Sequence, residues 1–474
     1  MAVHLREWLA NVEELGELAT LRGVHWDLEM GVITEMAGRQ LGKPAILFDD
    51  IPGYPPGFRV IVNTTGSLNR FALTSGFPVG IKEVEMVQEW RRFFKRMDLL
   101  PPRLVDSGPV MENVDLGEDV DLLKFPIPKW HEKDGGRYIG TGDVIITRGP
   151  DGGWVNLGTY RAMLHDRNHI GLAIEGGHHG RWHMNEWFAK GEPMPMAVAI
   201  GMDPLLLMVG CSEVAWGISE YDYAGAIRGK PVDVIAAPIT GLPIPADAEI
   251  VLEGFVDPEE RRLEGPFGEY PGYYGAGIRP LPVLRVEAVY YRNDPILLGS
   301  PPLRPQETQY LYRQTLRAGL IWDALEAAGV PDVTGVWSPL VFMVVVSIRQ
   351  RYPGHAKQAA RVAAQVGITA RSMGRYTIVV DDDIDVADMD EVLWAMCTRV
   401  DPDRDIEVLR GCLSTPLDPM GHPDRTGDLT MPRMIIDAAR PYEWRDRFPE
   451  VVASSPELKQ RVLSRWSEML QGLV

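Results

Sequence analysis

The chain of 474 residues carries a formal net charge of −18, with 45% hydrophobic and 24% charged residues. That is the balance of a globular protein long enough to bury a large core without staples, and it lacks the Lys/Arg surplus that binds nucleic acid or anionic membranes. Three scattered cysteines, Cys211, Cys397 and Cys412, form no Cys-x-x-Cys pair, which excludes a disulfide framework or zinc knuckle and fits a reducing compartment.

The opening residues MAVHLREWLANVEELGEL read as an amphipathic helix over 4–19, with acids where a signal peptide needs an apolar run. No stretch approaches the ~20 apolar residues of a membrane span, so the cytoplasm is the expected location. A helix over 32–41, a buried strand over 44–49, a short strand over 59–63 and a helix over 81–97 follow. This alternation predicts a small α/β domain over 1–105. From 106 to 305 the pattern turns to short β-rich runs at 142–148, 154–157, 196–200, 232–236, 249–255, 283–291 and 296–298, with one helix over 178–190. Such spacing predicts a barrel or sandwich. Over 306–440 helices (306–329, 355–366, 388–400) alternate with strands (341–348, 376–380, 405–409), the pattern of a parallel or mixed sheet. A tail over 441–474 ends in an amphipathic helix, a form suited to docking on a neighbouring subunit.

Four segments can carry chemistry. In LEGPFGEYPGYYG, Glu264 and Glu269 lie in a run of glycines and prolines that cannot be helical. Two carboxylates aimed into one cavity cannot easily both ionise, so one can stay protonated as an acid; a solvated loop with surface glutamates is the bland alternative. In WVNLGTYR, Asn156, Tyr160 and Arg161 fall at a strand end, and the arginine suits either a carboxylate substrate or a structural salt bridge. In GHHGRWHMNEWFAK, His179, His183 and Glu186 share a helix face. Two imidazoles at i and i+4 are compatible with Mn²⁺ or Zn²⁺, although a histidine-rich helix start without metal fits as well. Glu220, in SEYDYAGAIRG, reads as a first-turn helix acid. RYPGHAK at 351–357 offers a lysine one turn into a helix as a phosphate contact, and Asp381–Asp383 reads as a solvated strand end.

In their order along the chain these segments, with AEIVLEGFV at 248–256, IVVDDDID at 378–385 and DPDRDIEVL at 401–409, resemble the UbiD family of prenylated-FMN-dependent (de)carboxylases. The resemblance implies an α/β (α+β) chain with a small N-terminal α/β domain, an FMN-binding split β-barrel and a C-terminal α/β oligomerisation domain. It implies prenylated FMN, Mn²⁺ or another divalent metal, and K⁺ as cofactors. Arg161, Glu264 and Glu269 match the catalytic set, and Asn156, His179 and Glu220 the metal ligands. Thr159, Tyr160, His178 and Lys357 fall with these among the cofactor contacts; His183 and Glu186 have no role in that pattern. Arg304, Gln306 and Glu307 fall where the family lines its substrate pocket, in a wording (SPPLRPQETQ) that departs from the family's. The implied reaction is a non-oxidative, reversible decarboxylation of an aromatic, heteroaromatic or α,β-unsaturated acid, in a homodimer or homohexamer supplied with cofactor by a flavin prenyltransferase. A metal-dependent hydrolase and a non-catalytic flavin-binding scaffold are the alternatives.

Overall fold

The computed structural model describes residues 4–38, 44–275, 277–305, 310–366, 374–421 and 429–470. The first helix, Leu5–Glu14, buries Leu5, Trp8, Leu9 and Val12 at helical spacing. It is shorter than the expected 4–19, because Gly16 turns to φ +70° and the chain re-emerges as a strand, Leu18–Arg22. That strand lies parallel to Ala45–Asp49, which pairs antiparallel with Arg59–Val62. A helix the sequence reading passed over, Leu68–Ser75, starts where the Ser67 side chain accepts from Arg70 N at 3.1 Å. The helices expected over 32–41 and 81–97 run Glu29–Gly38 and Glu83–Phe94.

The strand Ile296–Gly299 corrects an expectation. It was assigned with the barrel runs, yet it lies parallel to Arg59–Val62 and completes the N-terminal sheet. A run of four apolar, fully buried residues suits either sheet, so sequence alone could not place it.

The central sheet is a half-barrel. Among the described residues its order is Tyr138–Gly140, Ala162–Leu164, His169–Leu172, Arg279–Tyr291, Ile250–Glu264, Met194–Ile200, Asp143–Arg148 and Val155–Gly158, with Asn113–Leu116 paired on Arg279–Tyr291. Two strands are much longer than their sequence runs, and each carries polar residues into the hairpin that ends at Glu264 and Arg279. Along Asp143–Arg148 the side chains alternate between two apolar cores. Val144 and Ile146 join the core shared with the N-terminal helices and the C-terminal sheet, while Ile145 joins the core inside the half-barrel. Among the described residues three helices accompany the sheet: His179–Ala189 and Glu220–Arg228, whose starts the sequence predicts, and Pro204–Gly210, which it does not.

The C-terminal sheet has the order Val333–Trp337, Met343–Ile348, Tyr376–Asp381, Thr430–Asp437, Ile406–Leu413. Its first and fourth strands were not foreseen. The helices Tyr310–Ala327, His355–Gln365 and Met389–Arg399 cover it. The final helix, Pro456–Leu470, leaves Leu458, Val462, Leu463 and Trp466 exposed. Among the described residues no helix is long and apolar enough to cross a membrane.

Asp143 opens its strand fully buried, with no hydrogen-bond partner on Oδ2 among the described residues, and burial pushes its carboxyl up to about 8. The folded chain therefore holds this proton at pH values where the unfolded chain has lost it. Its contribution to stability falls as pH rises from the ordinary aspartate range to about 8, by up to about 1.4 kcal/mol per pH unit. Asp143→Asn is expected to flatten that slope in urea unfolding series between pH 5 and 8 (about the window set by the raised group). An unchanged slope would show that the carboxyl is ionised or solvated in the fold.

Candidate active site

The two edge strands of the half-barrel, Val155–Gly158 and Tyr138–Gly140, lie at opposite ends of its order. The short segment Thr159–Arg161 carries the chain from the first edge to Ala162–Leu164, which pairs with the second. Arg161 sits on this closing segment. Its Nε and Nη2 donate to Oε1 and Oε2 of Glu264, both at 2.9 Å, and Nη1 donates to Glu269. Glu264 is fully buried and the Arg161 side chain nearly so. Burial alone would lower the guanidinium, but the hydrogen bonds from Glu264 and the charge of Glu269 hold it above its usual range. Burial raises the Glu269 carboxyl, working against the Arg161 charge that lowers it. One guanidinium thus faces two acids, and the arrangement can keep one carboxyl charged while the other carries a proton.

Tyr138 completes this cluster. Its hydroxyl donates to Glu264 Oε1 at 3.0 Å, and its ring lies 4.1 Å from that of Phe267. Burial, reinforced by Glu264, keeps the phenol protonated. The sequence reading missed Tyr138, because nothing in RYIG marks it until strand pairing sets Tyr138 opposite Met163, two residues from Arg161.

The acid loop is clamped rather than free. Gly265 leaves the long strand at φ +90°, a region open to glycine. Gly135 N donates to Pro266 O at 2.8 Å, and a Cβ on Gly135 would stand 2.1 Å from Gly265 O. Beyond it, Glu269 N donates to Tyr273 O and Gly272 N to Glu269 O, each at 2.8 Å, so the backbone of Glu269 is tied into a tight turn.

A second cluster gathers around the Val155–Gly158 strand. The helices beginning at His179 and Glu220 both pack on it. Glu220 is buried, accepts from Leu157 N at 2.7 Å, and is pushed by burial to about 8. His179 lies edge-on to Trp154, ring centroids 4.9 Å apart, and to Trp216 at 5.2 Å; burial lowers its imidazole. Asn156 is buried between, its Nδ2 donating to Thr147 Oγ1 at 3.3 Å. Among the described residues no three His, Cys, Asp or Glu side chains converge as a metal site, so a cation here would rest on one imidazole, one carboxyl and one amide. His183 does not join His179 as a ligand pair; its Nδ1 lies 3.0 Å from Thr147 Oγ1.

The remaining expected residues are spread more widely. Tyr160 OH accepts from Gly180 N at 3.3 Å, and the Tyr160 ring meets that of His178 at 5.4 Å. Thr159 Oγ1 accepts from Cys211 Sγ at 3.2 Å. Lys357 is not drawn into either cluster: its ammonium donates to Arg404 O at 2.6 Å and lies 3.8 Å from Glu407, both in the C-terminal unit. Arg304 is exposed, although a Cβ on Gly272 would stand 3.5 Å from Arg304 Cβ, which sets this backbone against the acid loop. Gln306 and Glu307 lie outside the described residues. Asp381 and Asp383, read as a solvated strand end, instead hold the buried Arg399, at 3.2 and 2.8 Å.

Three family models match the chain: the N-terminal domain of 3-octaprenyl-4-hydroxybenzoate carboxy-lyase over 9–89, its Rift-related domain over 103–305 and its C-terminal domain over 310–438. The chain is 34% identical to a pyrrole-2-carboxylic acid decarboxylase of Pseudomonas aeruginosa, over 98% of each chain. It is 32% identical to a phenolic acid decarboxylase of a Streptomyces species, over 99% of this chain and 98% of that one. Among solved structures it superposes on the UbiD-class enzyme HmfF from Pelotomaculum thermopropionicum in complex with FMN, with a TM-score of 0.85 at 30% identity, covering 96% of this chain and 98% of that one. The vanillic acid decarboxylase of Sedimentibacter hydroxybenzoicus in an open form gives 0.85 at 27% identity, covering 100% and 98%.

The clamp on the acid loop has a measurable cost of failure. Gly135→Ala forces a methyl group into Gly265 O and is expected to lower stability by about 2 kcal/mol, the scale of overpacking. Urea unfolding of the apoprotein reads this directly. A midpoint equal to that of the parent would mean that Gly135 and Gly265 are not held in contact.

Proposed function

The chain belongs to the UbiD family, and from that premise we propose that it is a carboxy-lyase acting on an aromatic, heteroaromatic or α,β-unsaturated carboxylic acid with prenylated FMN. The observation that carries the reading is Arg161 held between the buried Glu264 and the half-buried Glu269, with a third group, Tyr138, on Glu264. The pyrrole and phenolic acid decarboxylases among its relatives support a ring-borne carboxylate as the substrate class. Neither alternative is favoured: among the described residues no third ligating His, Cys, Asp or Glu gathers with His179 and His183 as a metal hydrolase needs, and an intact acid–guanidinium cluster does not suit an inert scaffold.

Removing carbon dioxide breaks a carbon–carbon bond and leaves its electron pair on an sp² carbon; a proton must then replace the lost group. Prenylated FMN supplies, when bound, the electron sink that side chains lack. Arg161 orients the substrate carboxylate and is itself held by two hydrogen bonds to Glu264. Tyr138 donates to the Oε1 that Arg161 Nε also meets and so helps fix Glu264. Glu269, whose burial favours the neutral form, holds the proton and delivers it to the carbon.

The second cluster fits a divalent cation and a phosphate. A buried carboxyl raised by desolvation is relieved by a nearby positive charge, and two helix N-termini favour an anion. Asn156, His179 and Glu220 would hold Mn²⁺ or another divalent ion, with K⁺ beside it, at the flavin phosphate; oxygen and imidazole donors suit such an ion. Thr159, Tyr160 and His178 would line the flavin. Lys357 would reach the phosphate only by leaving Arg404 O and Glu407. Arg304, Gln306 and Glu307 would line the substrate side. The chain divides, on this reading, into units over 1–105, 106–305 and 306–440 with a tail over 441–474. It would assemble as a homodimer or homohexamer in the cytoplasm and receive its cofactor from a flavin prenyltransferase.

Protein co-expressed with a flavin prenyltransferase is expected to carry prenylated FMN by absorbance and intact mass, and to release carbon dioxide from members of an aromatic and acrylic acid panel. Glu269→Gln is expected to lower kcat by at least about 10²-fold with flavin content and folding unchanged. Near-parental turnover in that variant would remove Glu269 as the proton donor, and a loaded parent inert on every acid would remove the decarboxylase reading.

A further inference from the structure

His183 stands outside the site's expected ligands, yet it is 2% exposed and hydrogen-bonded into them. Thr147 and Asn156 are direct cross-strand partners on the antiparallel strands Asp143–Arg148 and Val155–Gly158, so their side chains share one face. Asn156 Nδ2 donates to Thr147 Oγ1 at 3.3 Å, and Thr147 Oγ1 lies 3.0 Å from His183 Nδ1. Thr147 is fully buried and Asn156 2% exposed, so water does not substitute for these partners. Trp154 packs on the rings of His179 and His183, centroids 4.9 and 5.0 Å apart, and locks the two imidazoles one turn apart on the same helix.

A threonine hydroxyl has one hydrogen to give and two lone pairs. Its oxygen accepts from the Asn156 amide, which leaves its hydrogen free for His183 Nδ1 in the neutral tautomer that carries the ring proton on Nε2. Burial, which lowers His183 to about 4, favours the neutral ring. The same chain commits the NH₂ end of Asn156 to Thr147 and leaves the amide oxygen as the end a cation can use. An amide turned the other way would offer a cation two N–H dipoles.

We propose that His183 and Thr147 are positioning residues of the cation site, fixing the Asn156 amide with its oxygen toward the metal. The inference rests on the reading of Asn156, His179 and Glu220 as cation ligands. Outer partners of this kind typically control metal affinity by about 10- to 100-fold.

The test is Mn²⁺ affinity of the cofactor-free protein in excess FMN, read by the electron paramagnetic resonance signal of free Mn²⁺. Thr147→Val keeps the shape and deletes the hydroxyl, and is expected to weaken Mn²⁺ binding by about 10-fold or more. His183→Leu should do the same, while His183→Asn, whose side-chain amide oxygen can accept in place of Nδ1, should restore most of the affinity. Thermal unfolding without Mn²⁺ monitors the fold, and Thr147→Val with His183→Asn decide the matter if His183→Leu does not fold. A parent that binds no Mn²⁺ in the presence of FMN would overturn the cation reading itself. A parent that binds, with Thr147→Val and His183→Leu binding equally well, would overturn this inference alone, as would weakening by both that His183→Asn fails to restore.

Discussion

Everything in the site is organised around a charge that cannot leave. Arg161 lies in the link that joins one edge of the half-barrel to the other, and its guanidinium is buried with only carboxylates to neutralise it. An arginine cannot escape by losing its proton, so a carboxylate must stay close, and removal of Glu264, which takes two of its hydrogen bonds, would leave the buried guanidinium poorly paired. The requirement also runs outward. Glu264 must end its strand at the right register, and the loop beyond must turn back at once to return Glu269 to the same cation. Glycines at 135 and 265 permit that return.

Four residues separate Asn156 from Arg161, and the two clusters of the site lie at either end of that short stretch. On one side a buried carboxyl, an imidazole and an amide await positive charge. On the other a guanidinium gathers negative charge. On the reading proposed above, a cation in the first cluster would draw the anionic tail of the cofactor to that end and leave its ring toward the acids.

Much of this was legible in the sequence because its chemistry is local. A glycine- and proline-rich run holding two acids cannot be helix or regular strand, and Arg161 at a strand end stands out in an otherwise uncharged segment. The helix starts at His179 and Glu220 were likewise readable. What escaped notice depends on distant pairing. Tyr138 meets Glu264 across 126 positions, and Thr147 acquires its role only when the strands align it with Asn156. Pro204–Gly210 is apolar throughout and too short for periodicity to distinguish helix from strand. The strand Leu18–Arg22 hid within a helical pattern that Gly16 interrupts. Lys357 was expected beside the phosphate on motif alone, and its ammonium is spent on Arg404 O within the C-terminal unit.

The strand Ile296–Gly299 carries a consequence for how the chain is made. It is the outer partner of Arg59–Val62, so the outer side of that strand stays unpaired until residue 299 has been synthesised. During translation the first unit must wait, with unpaired backbone groups that could recruit a stranger, while the whole half-barrel emerges. The same strand then delivers the chain to Pro301–Arg304, against the acid loop. The N-terminal unit is therefore completed only by a strand that follows the half-barrel, next to the segment that meets the acid loop.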